Sequence, residues 1–319
     1  LESATPALSL VRSAERAVTR VAPSVALAAG GLTVVLHGLN LADAPGPVLV
    51  GPAAVPFASV NASAGTLQLP ATAPGLYPVR FRAAAARAAV PEDAPRVRYI
   101  EGPAIRALQP TAGPAAGGTR VTVSGSGFPA DLPAQCAFGA APLAAATFVS
   151  SSQLVCTSPA LAAGHRATSL PVEVTYNGVE LSTSGLRLHL FVPATVRSIV
   201  PSSAVASARQ TVTVFGAHFP AAPSGATALR FGLTDPVPLA VVTSSMATCV
   251  VPRIPGGRNV TVDVSSYGYG SADPGVPFAL LEERALLSVQ PSRASAAGGA
   301  LLTVIGRRFS GGDQVVCDF

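Results

Sequence analysis

Few residues in this chain could do chemistry. Cysteines stand at 136, 156, 249 and 317, histidines at 37, 165, 189 and 218, and two Asn-x-Ser/Thr triplets begin at Asn61 and Asn259. No two cysteines fall at the C-x-x-C type of spacing that holds zinc, so a thiolate metal centre is not expected. No Ser, Cys or carboxylate sits at motif spacing around a histidine. His189 falls on the polar side of "LRLHLF" and His218 in a turn, so the histidines read as solvated or turn residues rather than general bases. The adjacent acidic pairs are Glu92-Asp93 and Glu282-Glu283, and neither is accompanied by the further oxygen ligands that calcium requires. The remaining candidate is the glycine-rich stretch "GPAAGGTRVTVSGSGF" at 113–128. A phosphate cradle needs its glycines to run into a helix N-terminus. Here they run into "TRVTVSG", whose apolar residues alternate as in a half-buried strand, and "PADLP" after Phe128 cannot open a helix. The glycines therefore read as turn chemistry. No catalytic residue, cofactor, metal or small-molecule substrate is expected, and the chain is expected not to be an enzyme.

The elements that position these residues repeat. "AVTRVAPSVALAAGGLTVVLHGLNL" at 17–41 aligns with 104–128, with "TVRSIVPSSAVASARQTVTVFGAHF" at 195–219 and with "ALLSVQPSRASAAGGALLTVIGRRF" at 285–309. The anchoring prolines Pro23, Pro110, Pro201 and Pro291 lie 87, 91 and 90 residues apart. Such a unit is too long for a solenoid repeat and suits a small β-sandwich with its own core. Within a unit the proline ends one strand, the Gly-Gly pair makes a turn, and the next strand follows with Val121 and Val123 on one face. The third unit carries Arg209 and Gln210 where the second has Gly118 and Thr119, which a phosphate site would not tolerate.

Composition agrees. Across 319 residues, 30 Gly and 30 Pro interrupt any long helix, while 49% hydrophobic residues suffice for packed cores, so the fold class is all-β. The net charge of +5 comes from scattered arginines with no lysine, and no stripe able to neutralise many phosphates is present. No charge-free apolar run reaches the ~18 residues of a membrane span, so this segment is not expected to insert into a membrane. Aromatic residues are 5% with no Trp, which removes the flat stacking platform that a starch-binding accessory would use. The recurrent Phe128, Phe138, Phe219, Phe231, Phe309 and Phe319 read as core.

The order of Ile105, Pro110, Gly117-Gly118-Thr119, Val121-Thr122-Val123, Gly125-Ser126-Gly127-Phe128, Cys136-Ala137-Phe138-Gly139, Leu154-Val155-Cys156, Ser158-Pro159 and Asn177-Gly178 resembles the IPT/TIG family of immunoglobulin-like domains. The resemblance implies tandem β-sandwiches with limits 17–102, 103–193 and 194–284. Residues 1–16 would be the last strand of a preceding domain and 285–319 the start of a further one. It also implies a Cys136–Cys156 disulfide, as in extracellular members. Cys249 then matches Cys156 but faces Leu229, leaving an unpaired buried thiol, and the partner of Cys317 would lie outside the segment. Val48 and Leu67 replace the pair in the first unit. Four reduced core cysteines in a cytosolic protein remain the alternative at this point. The two sequons, with Asn61 and Asn259 as candidate glycan acceptors, point to the extracellular reading.

Function then follows from arrangement. Junctions such as "LFVPATV" are short and contain proline, so the sandwiches are expected to stack as a semi-rigid rod. The expected role is a non-enzymatic extracellular structural or adhesive rod at a cell surface, such as a ciliary or flagellar surface. Its partners would be other protein chains, copies of itself or filament and surface glycoproteins. The alternatives are the ectodomain of an adhesion or signalling receptor with recognition in a terminal domain, and a DNA-binding Rel-like use that would need an Arg-rich loop. Nucleic acid is not expected as a partner.

Overall fold

A computed structural model describes residues 16–42, 46–81, 92–162, 167–206, 208–220, 227–254, 257–271, 273–283, 285–307 and 309. Every regular element among them is a β-strand. The chain divides near Leu190 into two compact units. The first holds two sandwiches; the second holds a third sandwich and a further hairpin.

In the first sandwich one sheet orders Ala17–Ala22, Thr33–Leu39, Ala64–Gln68 and Ala58–Asn61, and the other orders Val25–Leu27, Arg96–Ile100, Gly75–Phe81, Val48–Val50 and Ala53–Val55. The second repeats this plan. Ala104–Gln109, Arg120–Ser126, Gln153–Thr157 and Thr147–Ser150 face a sheet in which Arg187–Phe191, Thr168–Thr175, Gln135–Phe138 and Ala144–Ala145 are successive neighbours. The third pairs Thr195–Val200, Thr211–Ala217, Met246–Val250 and Ala240–Thr243, opposite Ser203–Val205, Val276–Leu281, Arg258–Ser266, Thr227–Phe231 and Val237–Pro238. Period-2 alternation explains the layering: Val34 and Leu36, Val121 and Val123, and Val212 and Val214 all point inward and are buried. Each sandwich closes its own core. Val34, Leu36 and Tyr99 belong to the first, Val121, Phe138 and Leu188 to the second, and Val212, Phe231 and Phe278 to the third.

The sequence repeat has a single structural cause. In all four copies the opening strand pairs antiparallel with the strand that begins at Thr33, Arg120, Thr211 or Thr303, and the register slips once, between Val18/Arg20, Ile105/Ala107, Val196/Ser198 and Leu286/Ser288. Beside the slip stands a glycine: Gly38, Gly125, Gly216 or Gly306. A Cβ there would enter the carbonyl of Ala17, Ala104, Thr195 or Ala285. The four anchoring prolines all follow cis peptide bonds.

One expectation changes. The proline does not lead straight to the Gly-Gly turn: Val25–Leu27 crosses to the other sheet and pairs parallel with Arg98–Ile100, as Ser203–Val205 does with Ala279–Leu281. The crossing puts an apolar edge strand on each last strand, which a turn alone would leave open. Phe128, Phe138, Phe219 and Phe231 are core, as expected. Phe309 packs its ring beside Gly306, as Phe128 does beside Gly125, in a unit of which the hairpin strands Ala285–Gln290 and Thr303–Arg307 are described. Phe319 and the segment 1–15 lie outside the described residues.

Candidate functional site

Cys136 and Cys156 are joined by a disulfide with Cα atoms 6.1 Å apart. Cys136 pairs with Val174 in one sheet and Cys156 with Val121 in the other, so the bond crosses the core of the second sandwich. In the third sandwich Leu229 pairs with Val264 and Cys249 with Val212, so these two occupy the equivalent places; both are buried. Val48 and Leu67 hold them in the first, also buried. Cys317 lies outside the described residues.

The groups expected to be inert stay apart. His37 is exposed on Thr33–Leu39, His189 is half-buried with its backbone N–H donating to Thr111 O at 2.9 Å, and His218 is an exposed turn residue at φ +62°. His165 lies outside the described residues. Glu92, Asp93 and Glu283 are exposed and Glu282 is half-buried. Among the described residues no cluster of three His, Cys, Asp or Glu could hold a metal ion, and no helix is long and apolar enough to cross a membrane.

Polar organisation concentrates instead at the joint between the first and second sandwiches. The edge strand Val25–Leu27 presents one outward carbonyl, Val25 O, and one outward amide, Leu27 N–H. Asn177 Nδ2 donates to Val25 O at 3.1 Å, and Leu27 N donates to Glu180 Oε2 at 3.0 Å. The two clasping side chains bond each other, Asn177 Nδ2 to Glu180 Oε2 at 2.7 Å. Their loop is preset by local chemistry. Asn177 Oδ1 accepts from Val179 N and Glu180 N at 3.0 and 2.8 Å, Thr175 Oγ1 accepts from Gly178 N at 3.0 Å, and Gly178 takes φ +76°. Glu173 closes the returning arm by accepting from Ser182 Oγ at 2.5 Å and Ser184 N at 3.0 Å. Beneath the clasp, Val25, Leu27 and Ile100 of the first sandwich pack on the core of the second.

Arg98 makes a two-pronged ion pair with Asp131 across the same joint. The hydrogen bond raises the Arg98 pKa and lowers that of Asp131, so each holds the other charged. The pair is solvent-exposed, so salt screens it and it orients more than it stabilises. Leu76, Arg98, Ile100, Phe128 and Pro129 line an open groove of about 700 Å³ beside it.

Removing the clasp with Asn177→Ala and Glu180→Ala together is expected to leave all three cores folded and to release the strand edge. A hydrogen bond to a charged acceptor is worth about 1.5–3 kcal/mol. The Leu27 amide should therefore exchange with solvent at least about tenfold faster, measured by residue-resolved hydrogen exchange.

The pattern of two sheets, a core disulfide and a glycine at the strand slip coincides with a family match. The IPT/TIG domain model matches residues 103–189 and 194–278, more than half of the chain. The chain belongs to the IPT/TIG family. Among solved structures it is similar to the plexin A4 extracellular region, at 18% identity and TM-score 0.36, covering 90% of this chain and 26% of that one. It is also similar to the Escherichia coli adhesin FdeC, at 13% identity and TM-score 0.31, covering 84% of this chain and 96% of that one. A Bacteroides ovatus SGBP-B protein in complex with a mixed-linkage heptasaccharide matches at 11% identity and TM-score 0.25, covering 90% and 72%. The chain thus spans about a quarter of the plexin region it matches.

Within this IPT/TIG chain, sequence reasoning missed the joint. Asn177-Gly178 was legible as a turn, but nothing local marks Asn177 and Glu180 as partners of a strand some 150 residues earlier, with sequence separations of 152 and 153. Cys249 has a clear consequence of its own. Burial raises its thiol pKa to about 11, so it should resist iodoacetamide at neutral pH and react only after denaturation, read by intact mass. Because the folded pKa lies above the unfolded value, its contribution to stability is full below an ordinary thiol pKa of ~8.5 and is lost as pH rises towards 11. The third sandwich should weaken over that alkaline window.

Proposed function

We propose that the chain is a non-enzymatic, extracellular adhesive and spacing segment of a cell-surface protein, whose partners are other protein chains, either copies of itself or surface glycoproteins. The observation that carries this reading is the joint. Half-buried and charge-assisted polar contacts of Asn177, Glu180, Arg98 and Asp131 fasten the first sandwich to the second, and among the described residues no cluster of metal-ligating side chains is found. Fixing one module on another serves a chain that holds surfaces at a set separation. A core disulfide supports an oxidising compartment, and faces rich in Ala and Val with few charges suit contact with protein surfaces.

Three measurements test it. Protease added to intact cells should remove the chain, and Cys136 and Cys156 should resist alkylation until reductant is added. Beads coated with the chain should then cluster, or attach to those cells, in a manner lost when the second sandwich is unfolded. A protease-protected pool with both cysteines reduced would sink the reading.

A further inference from the structure

We infer that Asn61 carries an N-linked glycan, which covers the open edge of the first sandwich. Ala58–Asn61 is the last strand of its sheet, and all four of its residues are exposed. Its register slips between Ser59 and Asn61, and Val60 in the slip is 67% exposed. An apolar residue on an unpaired strand edge invites association with other chains unless something covers it.

Asn61 begins the triplet Asn61-Ala62-Ser63 at the tip of the hairpin to Ala64–Gln68. Its amide oxygen accepts from Ser63 N at 2.8 Å and from Ser63 Oγ at 3.0 Å. The hydroxyl that the triplet requires is therefore already bonded to the acceptor amide. Both bonds use the oxygen, and the nitrogen that takes the sugar is free of them.

The other two sandwiches show that the turn does not need an asparagine. Ser150 and Thr243 stand at the matching position, and their hydroxyls accept from Ser152 N and Ser245 N, each at 3.2 Å. An oxygen at this place suffices for the fold. The amide nitrogen of Asn61 is surplus to it, and glycosyl transfer is the chemistry that uses such a nitrogen beside a hydroxyl two residues on. Asn259, the second triplet, is exposed but sits inside the strand Arg258–Ser266 with its backbone paired to Ala279, so the inference is confined to Asn61.

The transfer needs a lipid-pyrophosphate-linked oligosaccharide as donor. Asn61 Nδ2 bonds to the sugar C1, the C1–O bond to pyrophosphate breaks, the lipid pyrophosphate leaves with the electron pair, and Nδ2 loses a proton. The inference rests on the extracellular reading above, because such donors and disulfides share the secretory compartment.

The full chain secreted from a eukaryotic cell, treated with peptide-N-glycosidase in heavy-oxygen water, should show Asn61 converted to labelled aspartate. Ser63→Thr should keep the label. Asn61→Ser, which copies the turn of the other sandwiches, should secrete normally without the glycan, and Ser63→Ala should abolish the label. Secreted, disulfide-bonded protein with unmodified Asn61 overturns the inference alone, as does a label surviving Ser63→Ala. Unmodified Asn61 together with reduced Cys136 and Cys156 overturns the extracellular reading with it.

Discussion

Replacing Gly125 with valine is expected to unfold the second sandwich while the first and third stay folded. Gly125 pairs with Ile105 at the slip in register, and its amide donates to Ser152 O at 2.9 Å. A Cβ at this position enters the Ala104 carbonyl and lies 3.0 Å from the Phe128 ring. The ring could shift, but the carbonyl belongs to the paired strand and cannot move without opening the ladder. Overpacking against side chains costs about 1–3 kcal/mol, and a backbone obstacle should exceed that range. Set against a domain stability of about 5–15 kcal/mol, the loss removes a large part of what holds the sandwich.

Two neighbouring glycines separate this steric cause from conformational preference. Gly118 has φ +79° with nothing within reach of a Cβ, so Gly118→Ala should lose only the left-handed penalty, about 1–2 kcal/mol. Gly127 has φ +79°, yet Asn40 and His218 hold the equivalent place at +56° and +62°, so Gly127→Asn should be nearly neutral. Hydrogen exchange resolved by sandwich, followed through thermal denaturation, would rank the three. Equal losses for Gly125→Val and Gly118→Ala would refute the close-approach account. Arg209, at the place of Gly118, does not take a positive φ, so the third sandwich makes no left-handed turn there, whereas Gly216 cannot be exchanged because its Cβ would meet Thr195 O.

These glycines also mark how far a sequence can be read. The alternation of Val121, Val123 and their counterparts has period 2 and is local, so strands, layers and the repeat were legible from it. The Gly-Gly turn was legible because glycine types a backbone conformation. Gly125 was visible as a recurrent glycine, but its reason is a carbonyl 21 residues away that only the paired strands bring near. The crossing strand Val25–Leu27 was hidden because three residues give too short a window for any periodicity. Asn177 and Glu180 were hidden for a deeper reason: their partners are main-chain atoms of Val25 and Leu27, and a backbone atom leaves no residue-type signature.

Replacing Cys136 and Cys156 together by alanine is expected to lower the stability of the second sandwich by about 3 kcal/mol from the lost cross-link alone. The bond closes a separation of 20 residues, and freeing such a loop in the unfolded chain has about that effect. Removing two buried sulfurs adds a packing loss, since both residues are fully buried against Val121 and Val174. The first sandwich shows how to divide the two. Val48 and Leu67 fill the same positions there without a bond, so Cys136→Val with Cys156→Leu should restore the packing and leave only the loop effect. The third sandwich is the control for reductant, because Leu229 opposite Cys249 offers nothing to reduce. Urea unfolding of each variant, with and without dithiothreitol, gives the comparison. Reductant should shift the wild-type second sandwich to the midpoint of the Val/Leu variant or slightly below it, and should leave the third unmoved. A wild-type midpoint indifferent to dithiothreitol, with the thiols shown to be free, would mean that packing alone holds the two sheets and that the cross-link contributes nothing.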